Sequence, residues 1–499
     1  MVAVALAGGG FVVVDLTRPV SSLTSAHRWE PSSAAGSTWL ISWNDINDAS
    51  LSYPGYTSSW DSFINEWRPP FEHRTPTGGQ VGDVNLAWDG TRNGGRFVLA
   101  MQDVNFPISV YFRAPTDANG TSWSPPVAVL VATGNISWDY PSVVVTSSGQ
   151  IAIGASQISG GTNSGYYVVV TDDGGMNWRG PYRVGTGGGG VSRLTASGNT
   201  YHAFILDRFV PVGNPAVISH ILNRHQSTDG GITWSGPFQV QTYGSPLYTS
   251  PDTYLNATQP TQACPDLNAP CNCTGTPGCA TIGYMGEPDV AGSTGLGWVI
   301  AYPVNDGGKN SINICSELGG CVTISHTTDL FLGGITTSAR GDWWLNYATY
   351  MSAPNRNLPI QQGVVYRTNT ASYLGATIET NINPKAWRPI GFPTFRCQNQ
   401  PCFSAGDYIH PASNAFTGAS IPLIRESSSF LTELRQNFVR DPDTPNVPQF
   451  LPKIEPFQLG ADFRVRALET AAHLRQYTGR QMLAASTTFW AALHRGSRP

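Results

Sequence analysis

Several acidic residues recur at comparable positions along the chain and could place carboxylates close together at one site. Carboxylates held close together can bind a cation or the hydroxyl groups of a sugar, and their mutual repulsion raises the pKa of some of them. The simpler alternative is that each carboxylate only caps the start of its own strand. The candidate ligand-binding residues are Asp83, Asp139, Glu287, Asp342, Asp407 and the adjacent Tyr408.

Aromatic residues beside these carboxylates offer a second kind of contact with a sugar. They are Tyr140, Trp343, Trp344 and Tyr408. An aromatic ring can stack on the apolar face of a sugar, but the same side chains also fill the interior between packed sheets. The sequence therefore predicts either a sugar-stacking surface or ordinary core packing at these positions.

Motifs for other kinds of chemistry are weak. The glycine run 187–190 is not followed by Gly-Lys-Ser or Gly-Lys-Thr, so it does not predict a phosphate loop. The nine histidines include no H-x-x-x-H spacing, and no G-x-S-x-G segment occurs. We expect no cofactor and no bound metal, and the sequence assigns no catalytic residue.

Composition and charge exclude several classes of protein. The chain has 499 residues, of which 40% are hydrophobic and 12% charged, with a formal net charge of −4. This is too apolar for a disordered protein and too neutral for one that coats nucleic acid, because phosphate contacts need a basic surface. No run of about 18 apolar residues occurs, so we expect no membrane span. The 54 glycines and 15 tryptophans suit a large all-β body.

An internal repeat gives the elements that must position these residues. Residues 171–178 (TDDGGMNW) and 227–234 (STDGGITW) are nearly identical, and 116–123 (TDANGTSW) is a weaker copy. Together with Trp67, their tryptophans are spaced by 56, 55 and 56 residues. In such a turn an Asp accepts backbone N–H bonds, Gly takes a positive φ and Trp packs on the sheet. The residues predicted to build these turns are Asp117, Trp123, Asp173, Trp178, Asp229 and Trp234.

The pattern S/T-x-D-x-G-x-x-W resembles the Asp box of the sialidase-like, or BNR-repeat, β-propellers. The resemblance implies that the boxes lie at the rim, away from the active face, and are structural. It also implies a candidate reaction, the hydrolysis of a terminal sugar by a Tyr nucleophile paired with Glu, an acid/base Asp and three arginines that hold a carboxylate. Residues 112–115 (FRAP) match the letters of the first arginine motif, but they run directly into a turn. We therefore interpret Arg113 as an arginine at a strand end.

A second repeated feature, an acidic or glycine-containing start followed by an apolar hairpin, predicts the architecture. The seven starts are at Glu30, Gly82, Asp139, Gly190, Glu287, Gly341 and Gly406. They predict an all-β fold, a β-propeller of four-stranded blades, with seven blades and six as the alternative. We expect the N-terminal strand to complete the blade that begins at Gly406. Carboxylates at the inner strand starts would then form an acidic ring at one mouth of the central channel.

The cysteines indicate an exported protein that is secreted or held at the cell surface. Eight cysteines in tight local groups favour disulfides over a zinc site, because the paired C-x2-C spacing of zinc ligands is missing. We predict the pairs Cys315–Cys321 and Cys397–Cys402, while Cys264, Cys271, Cys273 and Cys279 allow three connectivities. The candidate N-glycosylation sites are Asn119, Asn135, Asn256 and Asn272.

The chain is predicted to contain a propeller and a C-terminal extension. Residues 1–424 form the propeller, with a Cys-rich insertion at about 255–285, followed by a Pro-rich linker at 425–460 and a helical tail at 461–499. The tail either packs on the propeller or docks on another molecule. The N-terminal strand likewise either closes its own last blade or is donated to a neighbouring copy.

Two functions fit these features. The first is an exported, non-catalytic propeller that binds a glycan or a partner protein at a cell surface, or builds a surface assembly through the N-terminal strand or the C-terminal helix. The alternative is a secreted sialidase-like glycoside hydrolase that acts at the propeller axis. The absence of a recognisable catalytic set favours the first function. We expect no nucleic-acid partner for either.

Overall fold

A computed structural model describes most of the chain between residues 2 and 440. The described residues are 2–6, 12–16, 27–36, 38–46, 55–61, 66–76, 78, 81–92, 94–103, 107–159, 162–185, 189–209, 219–243, 288–293, 297–306, 309–318, 320–324, 330–337, 343–350, 360–367, 378–381, 391–397, 400–403, 412–414, 418–426 and 432–440. The described part contains strands, turns and irregular segments but no helix. It therefore holds no helix that could cross a membrane.

The regular structure consists of short strands. In chain order they are Val2–Leu6 (β1), Val12–Leu16 (β2), His27–Ala35 (β3), Trp39–Ile46 (β4), Gly55–Asp61 (β5), Glu66–Trp67 (β6), Phe71–His73 (β7), Val81–Asp89 (β8), Arg96–Asp103 (β9), Val110–Arg113 (β10), Val127–Leu130 (β11), Ile136–Val145 (β12), Ile151–Ser159 (β13), Thr162–Thr171 (β14), Arg179–Arg183 (β15), Gly189–Ser197 (β16), Thr200–Phe209 (β17), Ser219–Ser227 (β18), Ser235–Tyr243 (β19), Asp289–Ser293 (β20), Gly297–Asp306 (β21), Lys309–Ser316 (β22), Gly320–Ile324 (β23), Leu330–Thr337 (β24), Trp343–Tyr350 (β25), Ile360–Arg367 (β26), Ile378–Asn381 (β27), Gly391–Cys397 (β28), Gln400–Phe403 (β29), Ala412–Asn414 (β30), Gly418–Glu426 (β31) and Thr432–Arg440 (β32).

Five antiparallel sheets have the four-stranded form of a propeller blade. They are blade 1 (β8 to β11), blade 2 (β12 to β15), blade 3 (β16 to β19), blade 4 (β20 to β23) and blade 5 (β24 to β27). In each blade the strands follow one another in chain order from the inside to the outside. The prediction of an all-β propeller with four-stranded blades is confirmed, but among the described residues five sheets have this form instead of the predicted seven, or the alternative six.

Two further sheets with five strands explain part of this difference. One contains β3 to β7, where β5 pairs with both β6 and β7, and the other has the order β1-β2-β32-β31-β30. They stand between blade 5 and blade 1, because β30 contacts β24 and β3, and β3 contacts β8. Strands β28 and β29 form a separate two-stranded sheet. The start at Glu30 therefore belongs to a unit that differs from the predicted four-stranded pattern, and the start at Gly406 lies outside the described residues.

The start predicted at Gly341 is also misplaced by one strand. Trp343 begins β25, which is the second strand of blade 5, while the first strand is Leu330–Thr337. The start was predicted at the Gly-Asp pair before the second strand because the first strand, LFLGGITT, contains no acidic residue.

The two ends of the propeller sequence meet in one sheet. Residues Val12–Leu16 pair antiparallel with β32, for example Val12 opposite Arg440 and Leu16 opposite Gln436. This pairing within one chain is the arrangement expected for closure rather than donation. Strand β32 also continues the sheet beyond residue 424 into the segment predicted to be a linker. The predicted helical tail at 461–499 and the Cys-rich insertion at 255–285 lie outside the described residues.

The hydrophobic core lies between neighbouring blades. Val110 and Phe112 of blade 1 pack with Trp138 and Ile151 of blade 2. Central strands such as β9 are apolar on both faces, and Phe97 is fully buried, because a blade is covered on each side by its neighbours. This packing brings the first strands of successive blades side by side, β8 against β12, β12 against β16, and β16 against β20.

One predicted disulfide is confirmed in blade 4. Cys315 on β22 lies directly opposite Cys321 on β23, and a bond joins their sulfur atoms. Cys397 ends β28, and Cys402 lies within the paired strand β29. Cys264, Cys271, Cys273 and Cys279 lie outside the described residues, so the predicted connectivity of this group stays a prediction.

Candidate functional site

The predicted unit starts coincide with β-bulges in the first, innermost strands. The register breaks between Gly82 and Asn85 in β8, and between Asp139 and Ser142 in β12. Strands β3 and β16 have the same break, at 29–32 and 189–192. Within these bulges Asp83 and Tyr140 have positive φ angles of 41° and 54°. A bulge bends the strand and changes the direction of the side chains next to it. The repeated starts therefore mark a feature of the backbone, in addition to any residues that could bind a ligand.

A polar residue of a first strand joins its sheet to the next one, and in β3, β8 and β12 this is the residue that closes the bulge. Asn85 Oδ1 accepts a hydrogen bond from the backbone N–H of Val143 at 3.0 Å. Asp289 Oδ2 accepts one from the N–H of Ile335 at 2.7 Å. Ser32 and Ser142 serve the same way, with the N–H groups of residues 86 and 194. These polar side chains are part of the framework between blades.

Two of the predicted carboxylates meet at the inner strands. Asp83 on β8 shares a hydrogen bond with Asp139 on β12, and Asp83 is only 9% exposed. Two carboxyl groups can share a hydrogen bond only when one of them carries a proton. Burial raises the pKa of Asp139, against the opposing effect of the hydrogen bonds that it accepts. The pair therefore holds one proton more readily than an exposed aspartate would.

Further groups hold the Asp139 carboxyl in place. The backbone N–H of Tyr140 donates to Asp139 Oδ1 at 2.9 Å. The side chain of Gln102, which lies on β9 opposite Gly82, also donates a hydrogen bond to Asp139. The other end of that amide, Oε1, is buried and has no hydrogen-bond partner among the described residues. Asp139 and Tyr140 themselves keep part of their surface exposed.

A buried arginine and a buried tyrosine complete the cluster. Arg193 on β16 is 4% exposed, and its positive charge favours ionisation of Asp139. Burial raises the pKa of Tyr166 on β14, although the charge of Arg193 opposes this. The Tyr166 hydroxyl lies over Gly154 and makes no hydrogen bond within the described part of the chain. We call Asp83, Gln102, Asp139, Tyr166 and Arg193 the axial cluster.

The axial cluster can bind a polar ligand and exchange a proton with it. It contains two carboxyl groups that can share a proton, one cation, and side-chain oxygens of Gln102 and Tyr166 with unused hydrogen-bonding capacity. Clusters of this kind, with perturbed pKa values and convergent polar groups, are typical of binding and catalytic sites. Within the described residues no group of His, Cys, Asp and Glu side chains could hold a metal ion.

The rest of the predicted acidic ring is not described. Glu287, Asp342, Asp407 and Tyr408 lie outside the described residues, so their part in a ring stays a prediction. Of the aromatic candidates, Tyr140 is half-buried beside the pair. Trp343 and Trp344 are 5% and 1% exposed, so they are core residues of blade 5 and provide no sugar-stacking surface. The alternative of ordinary core packing holds for these two tryptophans.

In each of the three predicted turns an aspartate accepts hydrogen bonds from nearby backbone N–H groups. Asp173 Oδ1 accepts the backbone N–H groups of Met176 and Asn177, each at 2.9 Å, and the hydroxyl of Thr171 at 2.7 Å. Its pKa is lowered, chiefly by the N–H bond from Asn177. Equivalent bonds to Asp229, led by those from Thr233, lower the pKa of Asp229 to about 2. Asp117 accepts the N–H groups of residues 119 and 121.

These turns also pack against neighbouring blades. The indole N–H of Trp178 donates to the carbonyl of Gly175 at 3.1 Å, and its ring packs edge-on against Phe112 of the preceding blade. Trp234 donates in the same way to residue 231, and Trp123 to residue 120. The charge of each aspartate is used by its own turn, which fits a structural role.

Arg113 is likewise a structural residue. Its guanidinium donates to the carbonyl of Ser124 at 2.7 Å and contacts His73 Nδ1 at 3.1 Å. It also lies over the ring of Phe71. Burial lowers the pKa of Arg113 to about 10. These contacts lie in the segment after the third strand of blade 1 and in the adjoining sheet, which are the surroundings expected for an arginine at a strand end.

Sequence reasoning missed three members of the axial cluster. Gln102, Tyr166 and Arg193 do not belong to any of the motifs identified in the sequence. A usable signal existed for Gln102, because it is the first polar residue after the apolar run FVLAM and lies opposite a unit start. Arg193 follows the start at Gly190 by three positions. Tyr166 has no such signal, since its place depends on the register between β13 and β14.

Two of the candidate glycosylation sites are at the surface. Asn119 lies in the first of the three turns and Asn135 in the turn before β12, and both are exposed. Asn256 and Asn272 lie outside the described residues.

The ring of four-stranded blades, joined by repeated aspartate turns, decides the type of fold. The fold is a β-propeller. Among solved structures, this propeller is similar to an α-L-arabinofuranosidase from Fusarium graminearum (11% identity, 68% of this chain and 93% of that chain, TM-score 0.41). It is also similar to an α-L-arabinanase from Penicillium chrysogenum complexed with arabinobiose (13% identity, 73% and 98%, TM-score 0.41). A mutant Trypanosoma rangeli sialidase with trans-sialidase activity is 11% identical over 68% of this chain and 54% of that chain, with a TM-score of 0.41. No protein-family profile and no curated protein sequence matches the chain.

Proposed function

We propose that this protein is an exported, non-catalytic propeller that binds a glycan at the axial cluster. The three aspartate turns are Asp boxes in this proposal, and they build the scaffold that positions the inner strands. The ligand approaches from the side on which Asp139 and Tyr140 are partly exposed. A cell-surface glycan or glycoprotein is the expected partner.

The direct hydrogen bond between Asp83 and Asp139 is the observation that carries this proposal. Glycoside hydrolases hold their two carboxyl groups apart, by roughly 5–5.5 Å in retaining and roughly 6.5–9.5 Å in inverting enzymes. Two carboxyl groups in direct contact leave no room for a sugar carbon or a water between them. Such a pair can still bind sugar hydroxyl groups, with one carboxyl as donor and the other as acceptor.

The cations near the pair support the same conclusion. Among the described residues, Arg193 is the one cation that acts on Asp139, whereas the sialidase resemblance implies three arginines around one point. Arg113, the residue that matches the arginine motif, is held by Ser124 and His73 on an outer strand. A sialidase mechanism would need groups that this cluster does not contain.

The disulfide supports export. A bond between Cys315 and Cys321 is typical of proteins that fold in an oxidising compartment. A glycan-binding role at a cell surface is consistent with that location.

The proposal is tested by measuring both binding and turnover with the full chain. We expect at least one glycan of a broad immobilised panel to bind, and aryl glycosides to remain uncleaved under the same conditions. Gln102→Leu removes the amide that holds Asp139 and should weaken binding at least tenfold. Gln150→Leu is the matched control, because Gln150 donates to Asp172 in a surface turn. Unchanged binding by the Gln102 variant would contradict the assigned site.

A glycoside hydrolase is the second candidate, favoured by the raised pKa of Asp139. A carboxyl group that stays protonated is suited to be a general acid, and Tyr166 and Arg193 lie in the same cluster. Turnover of any aryl glycoside that Asp139→Asn abolishes would establish this candidate and overturn the first. Release of free sugar that the variant does not affect would point to a contaminant.

A further inference from the structure

We propose that His73 makes the outer contact between the sheet of β3 to β7 and blade 1 sensitive to acid. The contact is closed while the imidazole is uncharged, and it opens locally when the ring takes up a second proton. We call Thr57, His73, Arg113 and Trp123 the outer joint. The outer joint is independent of the proposed glycan site, because none of its residues belongs to the axial cluster.

His73 is fully buried where β7 meets blade 1. Its Nδ1 atom lies 3.1 Å from Nη1 of Arg113 on β10, and its Nε2 atom lies 2.9 Å from Oγ1 of Thr57 on β5. The ring also packs edge-on against Trp123 in the aspartate turn of blade 1. One side chain on β7 therefore connects its own sheet with the third strand and the aspartate turn of blade 1.

These contacts fix the protonation state of the imidazole. A guanidinium only donates hydrogen bonds, so Nδ1 is the acceptor for Arg113 and carries no proton. Nε2 then carries the single ring proton and donates it to the hydroxyl of Thr57. Both ring nitrogens are satisfied in this neutral form, and a second proton has to displace Arg113.

A proton on Nδ1 would place two cations side by side in a buried position. Arg113 is 7% exposed, and within the described ranges no ion pair joins it to a carboxylate. Its remaining hydrogen bonds go to the backbone carbonyls of residues 123 and 124. Burying a second, uncompensated charge there is costly. Burial and the charge of Arg113 accordingly lower the pKa of His73.

The carboxylates on the elements that contact His73 are held by other groups. They are Asp61, which pairs with Arg68 at 2.8 Å, Glu72, which pairs with Arg74 at 2.6 Å, and Asp117, which accepts N–H groups of its own turn. Arg113 is the charged group in the described part of the chain that contacts the imidazole. A protonated His73 would therefore face a cation and gain no carboxylate partner.

The inner strands of the same two sheets are joined by uncharged groups. Ser42 Oγ donates to the carbonyl of Val84 at 3.2 Å, and Ser32 Oγ accepts the N–H of Leu86 at 3.3 Å. Neither contact responds to pH. Opening at low pH should therefore be confined to β7 and the aspartate turn of blade 1, while the inner strands stay together.

Hydrogen exchange of the full chain tests the outer joint, with each rate divided by the intrinsic chemical rate at the same pH. Histidine in an unfolded chain has a pKa of about 6.5, and the closed joint excludes its proton. The contribution of His73 is thus complete above about pH 6.5 and is lost on acidification, by up to about tenfold in the opening equilibrium per pH unit.

We expect the protection of β7 and of residues 116–124 to fall at least about tenfold between about pH 7 and pH 5. The equivalent turn of blade 2, at 171–178, has no histidine contact of this kind and should keep its protection. Constant protection of β7, or an equal loss in the two turns, would overturn the proposal.

His73→Asn is the decisive variant. Its Oδ1 can accept from Arg113 in place of Nδ1 but takes up no proton in this pH range, so protection of β7 should no longer fall on acidification. His202→Asn is the matched control, because His202 is a buried histidine in blade 3 whose Nδ1 lies 3.3 Å from Arg224. This control should keep the full acid loss at β7. The same loss in a folded His73→Asn protein would contradict the proposal.

Arg113→Gln tests the part that the second cation plays. The amide can donate to Nδ1 but brings no charge, so the ring of His73 should take up its proton at a pH at least about one unit higher than in the wild type. A pH titration of the ring signals, with the histidines labelled, measures this, and an unchanged midpoint would overturn the role of Arg113. A thermal melt establishes folding, and if neither variant folds, the comparison of the two turns in the wild-type chain decides the proposal.

Discussion

At the scale of single residues, the pKa of aspartate is shifted in opposite directions in the turns and in the axial cluster. Asp229 is exposed and accepts several hydrogen bonds that only its ionised form can accept fully, so its pKa falls to about 2. Asp139 lies among buried groups, so burial raises its pKa. The sequence marked both residues, and the Asp-turn motif assigned Asp229 to a turn. It could not indicate burial, which depends on the neighbouring blade.

The opposite pKa shifts predict opposite effects of pH on stability. A carboxyl whose folded pKa is raised stabilises the fold below its unfolded pKa, about 3.9, and loses that contribution as pH rises through the folded value. The wild-type protein should therefore lose stability relative to Asp139→Asn as pH rises from about 4, by up to about 1.4 kcal/mol per pH unit. Urea unfolding at several pH values measures this. A flat difference would contradict the burial of Asp139.

Asp229→Asn is the matched comparison, with the sign reversed. Because the folded pKa of Asp229 is lowered to about 2, its contribution is present above about pH 4 and is lost as pH falls toward 2. The wild-type protein should lose stability relative to this variant on acidification.

At the scale of elements, the inner strands are held by polar side chains that reach across blades. The unit starts were predictable from the sequence because a bulge and a polar closing residue recur at Ser32, Asn85 and Ser142. What the pattern could not show is the direction of each side chain. Asp289, for example, bonds the N–H of residue 335 in the next blade. The acidic residues at the strand starts therefore include both framework residues and members of the axial cluster, and the sequence does not distinguish them.

Removal of the Asp289 carboxylate should loosen blade 5 from blade 4. Asp289→Ala leaves the buried N–H of Ile335 without its acceptor, which should cost about 1–3 kcal/mol of unfolding free energy. Asp289→Asn keeps an acceptor oxygen and should recover most of that loss. Chemical denaturation of both variants measures the difference, and equal losses would show that the hydrogen bond does not join the blades.

The glycines of the aspartate turns should tolerate substitution poorly. Gly175 has φ +100°, and an added Cβ would lie 2.3 Å from Phe112 of the preceding blade. Gly134 has φ +59° with open space around it, so Gly134→Ala reports the backbone strain alone, about 1 kcal/mol. Gly175→Ala should cost about 1–3 kcal/mol more than this control. Equal melting temperatures for the two variants would contradict the packing of this turn between blades.

At the scale of the whole molecule, the repeat predicted the propeller but not the number of its blades. A period near 55 residues gives the spacing of the repeated units. It does not give the number of strands in each sheet, because sheets of four and of five strands both fit this length. The chain ends add β1 and β2 to the sheet of β30 to β32, which no local pattern could indicate. The axial cluster is likewise a property of the whole ring, because blade 1, blade 2 and blade 3 each supply part of it.

The central claim is that the axial cluster binds a glycan without cleaving it. The most direct measurement is the equilibrium affinity of the best glycan of the panel for the wild-type chain, Gln102→Leu and Gln150→Leu, with the glycan recovered afterwards. We predict at least a tenfold loss for Gln102→Leu, no change for Gln150→Leu, and intact glycan in every sample. Equal affinity of all three proteins, or recovery of cleaved sugar from the wild-type sample, would contradict the claim.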